Sequence, residues 1–177
     1  SLAGRLVTRG LTRGSTPQLV QVVGAGIAGA SAARHLVEAG IRVRVTDAHG
    51  IAAGASTIPA TVLHGRLQAN TEAGGLLRAH AYLYARAFCR RFAIASGNSP
   101  VTRISALQLS SESVPATRLA AVAELYAPTG NWLELLDARS ATAHAGVPIK
   151  EPVLHFPEAL RINTPALCAA LLDHPDI

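Results

Sequence analysis

Three glycines constrain the first third of this chain more than any other feature. Gly24, Gly26 and Gly29 stand in the run Val22-Val23-Gly24-Ala25-Gly26-Ile27-Ala28-Gly29, a G-x-G-x-x-G between a β-rich stretch and an alanine-rich one. The first glycine permits a tight turn. The second lets a pyrophosphate approach the backbone, and the third lets a helix pack closely on a strand. Unpaired N–H groups at the helix start, aided by the helix dipole, favour an anion there.

The flanking residues support that reading. Residues 19–23 are a short apolar run suited to a central parallel strand. Residues 27–39 suit a helix, with Gly40 as its stop signal. Residues 41–46 alternate and read as a second parallel strand that ends at Asp47. Strand, helix and strand together match the length of a βαβ unit. Asp47 falls where a carboxylate accepts hydrogen bonds from an adenosine ribose, and it would repel a 2′-phosphate, so NADP is disfavoured. The alternative is a glycine turn that only packs a helix on a sheet, with Asp47 as a solvated strand end.

A small-residue loop, 48–61, follows without prompt return to a third strand. Such a loop can pass beneath a large cofactor or serve as a plain surface connection. Leu76, Leu77, Ala81, Leu83, Tyr84, Ala87, Phe88 and Phe92 then recur at helical spacing, which predicts a long amphipathic helix over 76–94, ended by residues 96–100. Its arginines read as a solvated face. Beyond Val101 the character changes. Strands are expected at 104–109, 132–136 and 153–156. Helices are expected from Pro115 through Tyr126, with Ser113 or Val114 near the cap, at 137–143, and at 166–172 behind the cap Asn163-Thr164-Pro165. The expected division is a linker at 1–18, a first part of a nucleotide-binding domain at 19–100 and a partial substrate domain at 101–177.

Composition narrows the class. Of 177 residues 49% are hydrophobic, which is enough for a core and argues against disorder. The net charge is +5, and nearly all the basic residues are arginine. Arg5, Arg9 and Arg13 lie in the leader, which is either a solvated linker or an arm for an anionic partner such as RNA. Cys89 and Cys168 stand alone in apolar helical patterns and read as buried thiols, without a disulfide framework or metal cluster. That favours the cytoplasm, and no apolar run is long enough to cross a membrane. The chain starts at Ser1 and has no methionine, which suggests a fragment or processed product. The oligomeric state is not legible.

Gly24-Ala25-Gly26-Ile27-Ala28-Gly29, Asp47 and Gly54-Ala55-Ser56 together resemble the FAD-dependent oxidoreductases of the D-amino-acid oxidase and glycine oxidase type. Ala106-Leu107-Gln108-Leu109, Ala145-Gly146-Val147-Pro148, Leu154-His155-Phe156-Pro157 and 165–172 are similar, within that group, to the flavin half of the bifunctional bacterial enzymes that make 5-methylaminomethyl-2-thiouridine in tRNA. The resemblance implies an α/β fold: a Rossmann-like FAD-binding βαβ unit with a long helix, then part of an α+β substrate domain. It implies FAD held at Gly24, Gly26, Ile27, Ala28, Gly29, Asp47, Ala48, Ala55, Ser56, Ala60 and Thr61. It also implies tRNA as substrate partner and a fused or adjacent methyltransferase domain.

The implied reaction is oxidation of the carboxymethylaminomethyl group on the wobble uridine. A hydride leaves the carbon beside the nitrogen, and the imine hydrolyses to an aminomethyl group and glyoxylate. The flavin is then reoxidised by dioxygen. A small-molecule amine or amino-acid oxidase of the same fold, or a truncated non-catalytic remnant, are the alternatives. No catalytic residue is assigned; His64, His80, His144 and His155 read as packed or surface residues. Thr57, Ile58 and Thr61 stand where that family has Gly-Asn and a further glycine, and Glu151-Pro152 where it has Gly-Gly. The family's return to the first sheet and the methyltransferase half both lie outside this sequence.

Overall fold

The computed structural model describes residues 18–93 and 99–177. The leader arginines and most of the expected helix terminator at 96–100 fall outside those residues. β1 (Leu19–Val23) and β2 (Arg42–Thr46) pair in parallel, Leu19 opposite Arg42, and form a two-stranded sheet. α1 (Ile27–Glu38) connects them. Ala33, fully buried, and Val37 turn its small-residue face to Val43 on β2. Gly40, at φ +81°, closes the helix in a conformation that favours glycine.

The expected burial of β1 is corrected. Val20 and Val22 face α1, whereas Leu19 is 50% and Val23 83% exposed. Among the described residues no strand pairs the far edge of β1 and no helix covers the outer face, so alternate residues of both strands meet water. The tail reaches the other edge, where Val43 donates its N–H to the Asp176 carbonyl at 2.8 Å.

A second sheet is organised on β6 (Val153–Ile162), which pairs antiparallel with β3 (Thr61–Leu63), β4 (Val101–Gln108) and β5 (Glu134–Leu136). The strand expected at 153–156 is longer than its residues suggest, although Pro157 cannot donate to a ladder. The chain continues through it. The β4–β6 register slips between Ile104 and Ala106, opposite Pro157 and Glu158, so the missing donor falls at a bulge. The 48–61 segment is also more ordered than a plain loop. It contains a 3-10 turn at Ala55–Thr57 and runs directly into β3.

α2 (Ala73–Arg90) starts three residues earlier than its apolar period suggests. α3 (Ala116–Tyr126) is capped by Pro115 rather than Ser113 or Val114. Ser111 and Val114 exchange both backbone hydrogen bonds in a small bridge, which occupies Val114 before the helix begins. α4 (Ala138–Ala145) starts behind Asp137, whose carboxylate accepts from the Ser140 N–H at 2.7 Å. α5 (Thr164–Leu172) is capped in the same way by Asn163 on the Ala166 N–H.

Two cores result. Phe156, Leu154, Leu119, Tyr82 and Trp132 fill one side of the second sheet. Leu160, Leu167, Cys168 and Leu171 fill the other, together with Ala30 of α1 and Phe88 of α2. α5 packs on α1, so the two sheets share this second core. His155 is buried, and its Nδ1 lies 2.8 Å from the Glu134 carboxylate. A carboxylate only accepts, so Nδ1 carries the proton and Nε2 accepts from the Ser105 hydroxyl at 2.7 Å. His144 also reaches Ser105, at 2.6 Å. The network joins α4 to three strands.

Glu38 at the end of α1 is gripped by Arg91, beyond α2, and by Arg34 one turn earlier. Those guanidiniums hold its carboxyl below the ordinary 4.5, at about 2. A carboxyl depressed in the fold contributes stability above its unfolded value and loses it as pH falls. Glu38→Gln is therefore expected to flatten the loss of thermal stability between pH about 4.5 and about 2, measured as Tm against pH.

Candidate functional site

The site is built on the turn between β1 and α1. Gly24 adopts φ +104°, the left-handed region that favours glycine, and its N–H donates to the Thr46 carbonyl at 2.8 Å. A Cβ on Gly29 would lie 1.9 Å from the Gly24 carbonyl oxygen, so only glycine lets α1 approach the strand this closely. A Cβ on Gly26 would meet the Ser56 hydroxyl at 3.1 Å. The three glycines thus have three different reasons, as the motif requires.

Two side chains hold the turn from opposite sides. Asp47 accepts the Ala25 N–H on one carboxylate oxygen at 2.7 Å, and on the other it accepts the His49 and Gly50 N–H groups at 2.8 and 3.1 Å. The Ala25 N–H foremost, then those of His49 and Gly50, hold its carboxyl below the usual carboxylate range. Its first task here is therefore to brace the turn. Ser56 does the same from the 3-10 turn. Its Oγ is buried and accepts the Ile27 N–H at 2.9 Å. Accepting leaves the hydroxyl proton to be donated, and the Cys168 thiol, a weak acceptor, lies beside it. The Ala28 and Gly29 N–H groups belong to the first turn of α1 and have no intrahelical acceptor. No acidic side chain sits in that turn.

The remaining sequence candidates are spread around this hub. Ala48 follows Asp47 and is exposed, as are Ala55 beside Ser56 and Ala60 before β3. Thr61 is engaged, with its hydroxyl 3.1 Å from that of Thr164 and 3.3 Å from the Ile162 carbonyl. Two cavities flank the turn. One, of about 630 Å³, runs along the edge of β2 past Ala25, Asp47 and Gly50 and is bounded by the tail. The other, of about 470 Å³, is walled by Ile27, Ala55, Ser56, Thr61 and Val62, with Phe88 and Leu167 behind. Asp47 thus faces one space and Ser56 the other. Sequence reading missed the second cavity's far wall, His35, Tyr84 and Phe88, where the His35 ring stacks on Phe88 at 4.3 Å and meets the Tyr84 hydroxyl. Their shared face shows only in the helical periods of α1 and α2.

The two cysteines border the second cavity and Ser56 respectively, and His80, His144 and His155 lie apart. Burial pushes the Cys89 thiol up, and it does the same to Cys168, whose thiol lies by Ser56, so neither offers a thiolate. Among the described residues no group of His, Cys, Asp and Glu has the geometry of a metal site, and no helix is long and apolar enough to cross a membrane. His80 is exposed, and His144 and His155 belong to the network on the second sheet.

Residues 20–175 match the family described as FAD dependent oxidoreductase. The chain is 33% identical over 161 residues to the tRNA 5-methylaminomethyl-2-thiouridine biosynthesis bifunctional protein MnmC of Nitrosospira multiformis, covering 88% of this chain and 25% of that protein. It is 32% identical over 185 residues to the MnmC of Marinobacter nauticus, covering 99% of this chain and 28% of that one. It spans about a quarter of the length of these relatives. Among solved structures, glycine oxidase from Geobacillus kaustophilus superposes with a TM-score of 0.65 at 18% identity, over 87% of this chain and 42% of that one. Iminodiacetate oxidase from Chelativorans sp. BNC1 gives 0.60 at 23%, over 87% and 43%. These likenesses show the fold.

Gly29→Ala is expected to cost about 3 kcal/mol, because the added methyl meets backbone that cannot retreat. Thermal denaturation checks it; an unchanged Tm would mean that α1 sits off the turn.

Proposed function

The chain belongs to the FAD-dependent oxidoreductase family, and we propose that it is part of a flavin enzyme that oxidises the carboxymethylaminomethyl group on a tRNA wobble uridine to aminomethyl. The similarity to MnmC over most of its length carries the choice of reaction. FAD, when bound, supplies the hydride acceptor for the carbon beside the amine nitrogen.

The residues present suit that cofactor. Gly24 and Gly29 let backbone lie where side chains would intrude. The Ala28 and Gly29 N–H groups and the Ser56 hydroxyl are donors available to a pyrophosphate. Asp47, by fixing the Ala25 peptide, orients the turn; its Oδ2, which accepts only the Ala25 N–H, retains acceptor capacity for a ribose hydroxyl, while Oδ1 is taken by the His49 and Gly50 N–H groups. Ala48 follows Asp47 at that end. Ala55, Ala60 and Thr61 carry small side chains along the path toward β3, where a large ring meets little steric opposition. Gly26 and Ile27 complete the cradle. The mostly apolar cavity beyond Ser56 suits an aromatic ring system. Residues 19–100 then supply the first part of the FAD-binding domain and 101–177 part of the substrate domain, and the enzyme acts in the cytoplasm, with a fused or adjacent methyltransferase domain.

Titration of the chain with FAD, followed by flavin fluorescence, is expected to show saturable binding, and Ser56→Ala is expected to weaken it about tenfold, the worth of one hydrogen bond to a charged group. No binding at any concentration would leave the non-catalytic reading. Turnover is tested on tRNA carrying carboxymethylaminomethyl-uridine beside glycine and sarcosine. Aminomethyl-uridine in the tRNA is the expected product. Turnover of the free amino acids alone would replace this reading with that of a small-molecule oxidase.

A further inference from the structure

Three arginines from three separate elements meet around one cleft. Arg66 follows β3, Arg78 lies on α2 and Arg118 on α3. With His64, Gln68 and Gln108 they line a space of about 400 Å³ that no Asp or Glu shares. Five arginines elsewhere in the fold sit beside carboxylates. Arg34 and Arg91 pair with Glu38, and Arg86, Arg90 and Arg103 pair with Glu158. Among the described residues no ion pair engages Arg66, Arg78 or Arg118. Like charges gathered without a counterion repel one another, and a bound anion turns that repulsion into attraction.

The shape of the cluster narrows the anion. One small carboxylate occupies a single guanidinium fork. Three exposed forks on separate elements match a succession of phosphates, each taken by one arginine. The cleft shares no wall residue with the glycine turn, so it is separate from the place proposed for the FAD pyrophosphate.

His64 ties the cleft to its neighbours. The ring lies edge-on to Phe156 at 5.9 Å and lines both the arginine cleft and a neighbouring space walled by Val62, Gln108 and Phe156. Val62 in turn lines the apolar cavity beside Ile27 and Ser56. The three spaces thus follow one another, joined at His64 and at Val62.

We propose that the Arg66, Arg78 and Arg118 cleft is an RNA-phosphate subsite, which holds the backbone of the substrate strand, with His64 in the wall at the junction toward the flavin cavity. This rests on the tRNA reading above.

The test is fluorescence anisotropy of labelled tRNA and of a labelled single-stranded RNA, each titrated with the chain across a series of KCl concentrations. The logarithm of affinity falls linearly with the logarithm of salt, and each of Arg66→Gln, Arg78→Gln and Arg118→Gln is expected to reduce that slope by about one. Arg139→Gln on α4 makes the same charge change away from the cleft and is expected to leave the slope alone. FAD titration of the triple variant, expected to match the unchanged chain, reports that the fold is intact. A wild-type slope in the triple variant, or an equal reduction by Arg139→Gln, overturns the subsite and leaves the tRNA reading standing. Failure of the unchanged chain to bind either RNA overturns the subsite; with turnover of glycine or sarcosine alone, it removes the tRNA reading as well.

Discussion

Everything in the nucleotide-binding half depends on how the turn between β1 and α1 is held. A glycine-rich turn has more freedom than any other segment, and a dinucleotide site built on it needs that freedom removed. Asp47 and Ser56 remove it by accepting the N–H groups of Ala25 and Ile27, two residues apart and on opposite sides of Gly26. The clamp is polar and short-range, and its two jaws come from different places. Asp47 is the end of β2, so its position follows from the βαβ unit. Ser56 comes from the 3-10 turn, which packs against α5 at the far end of the chain. The first sheet and the last helix therefore cooperate in fixing one peptide.

The second half is organised on a different principle. β6 gives its backbone to three partners and its side chains to both cores. Pro157 in its middle would end most strands. Here the ladder absorbs the lost donor in a bulge opposite Ser105, while Leu154 and Phe156 before the irregularity and Leu160 and Ile162 after it remain buried. A single strand thereby feeds two cores, and that continuity joins the substrate-side sheet to the helices around the turn.

Much of this was legible in the residues, and the failures have physical causes. G-x-G-x-x-G announces a turn whose geometry is fixed by hard contacts, so its three roles survive translation into structure. The cap at Asn163 was readable because a capping side chain bonds within three residues of itself, whereas Asp137, read as the first helical residue, is in fact the cap of α4. The bracing role of Asp47 was not readable, since spacing places a carboxylate at a strand end without saying which N–H it will find. β1 looked like a central strand because apolar composition records what a strand can bury, whereas its neighbours decide what it does bury. The arginine cleft was invisible for a related reason. Residues 66, 78 and 118 belong to unrelated stretches and meet only after β3, α2 and α3 have packed.

The exposed face of the first sheet has a consequence for the protein in solution. Leu19, Gln21 and Val23 of β1 lie beside Arg42, Arg44 and Thr46 of β2 on that face, and among the described residues no strand uses the backbone groups at the outer edge of β1. A short, apolar, unpaired edge is a template for pairing with another copy. Arg42 and Arg44 oppose this by presenting like charges wherever two such faces approach. Their protection is electrostatic and weakens as salt shortens the screening length to about 3 Å near 1 M. The colloidal stability of the chain is thus tied to ionic strength through two side chains that take no part in its core.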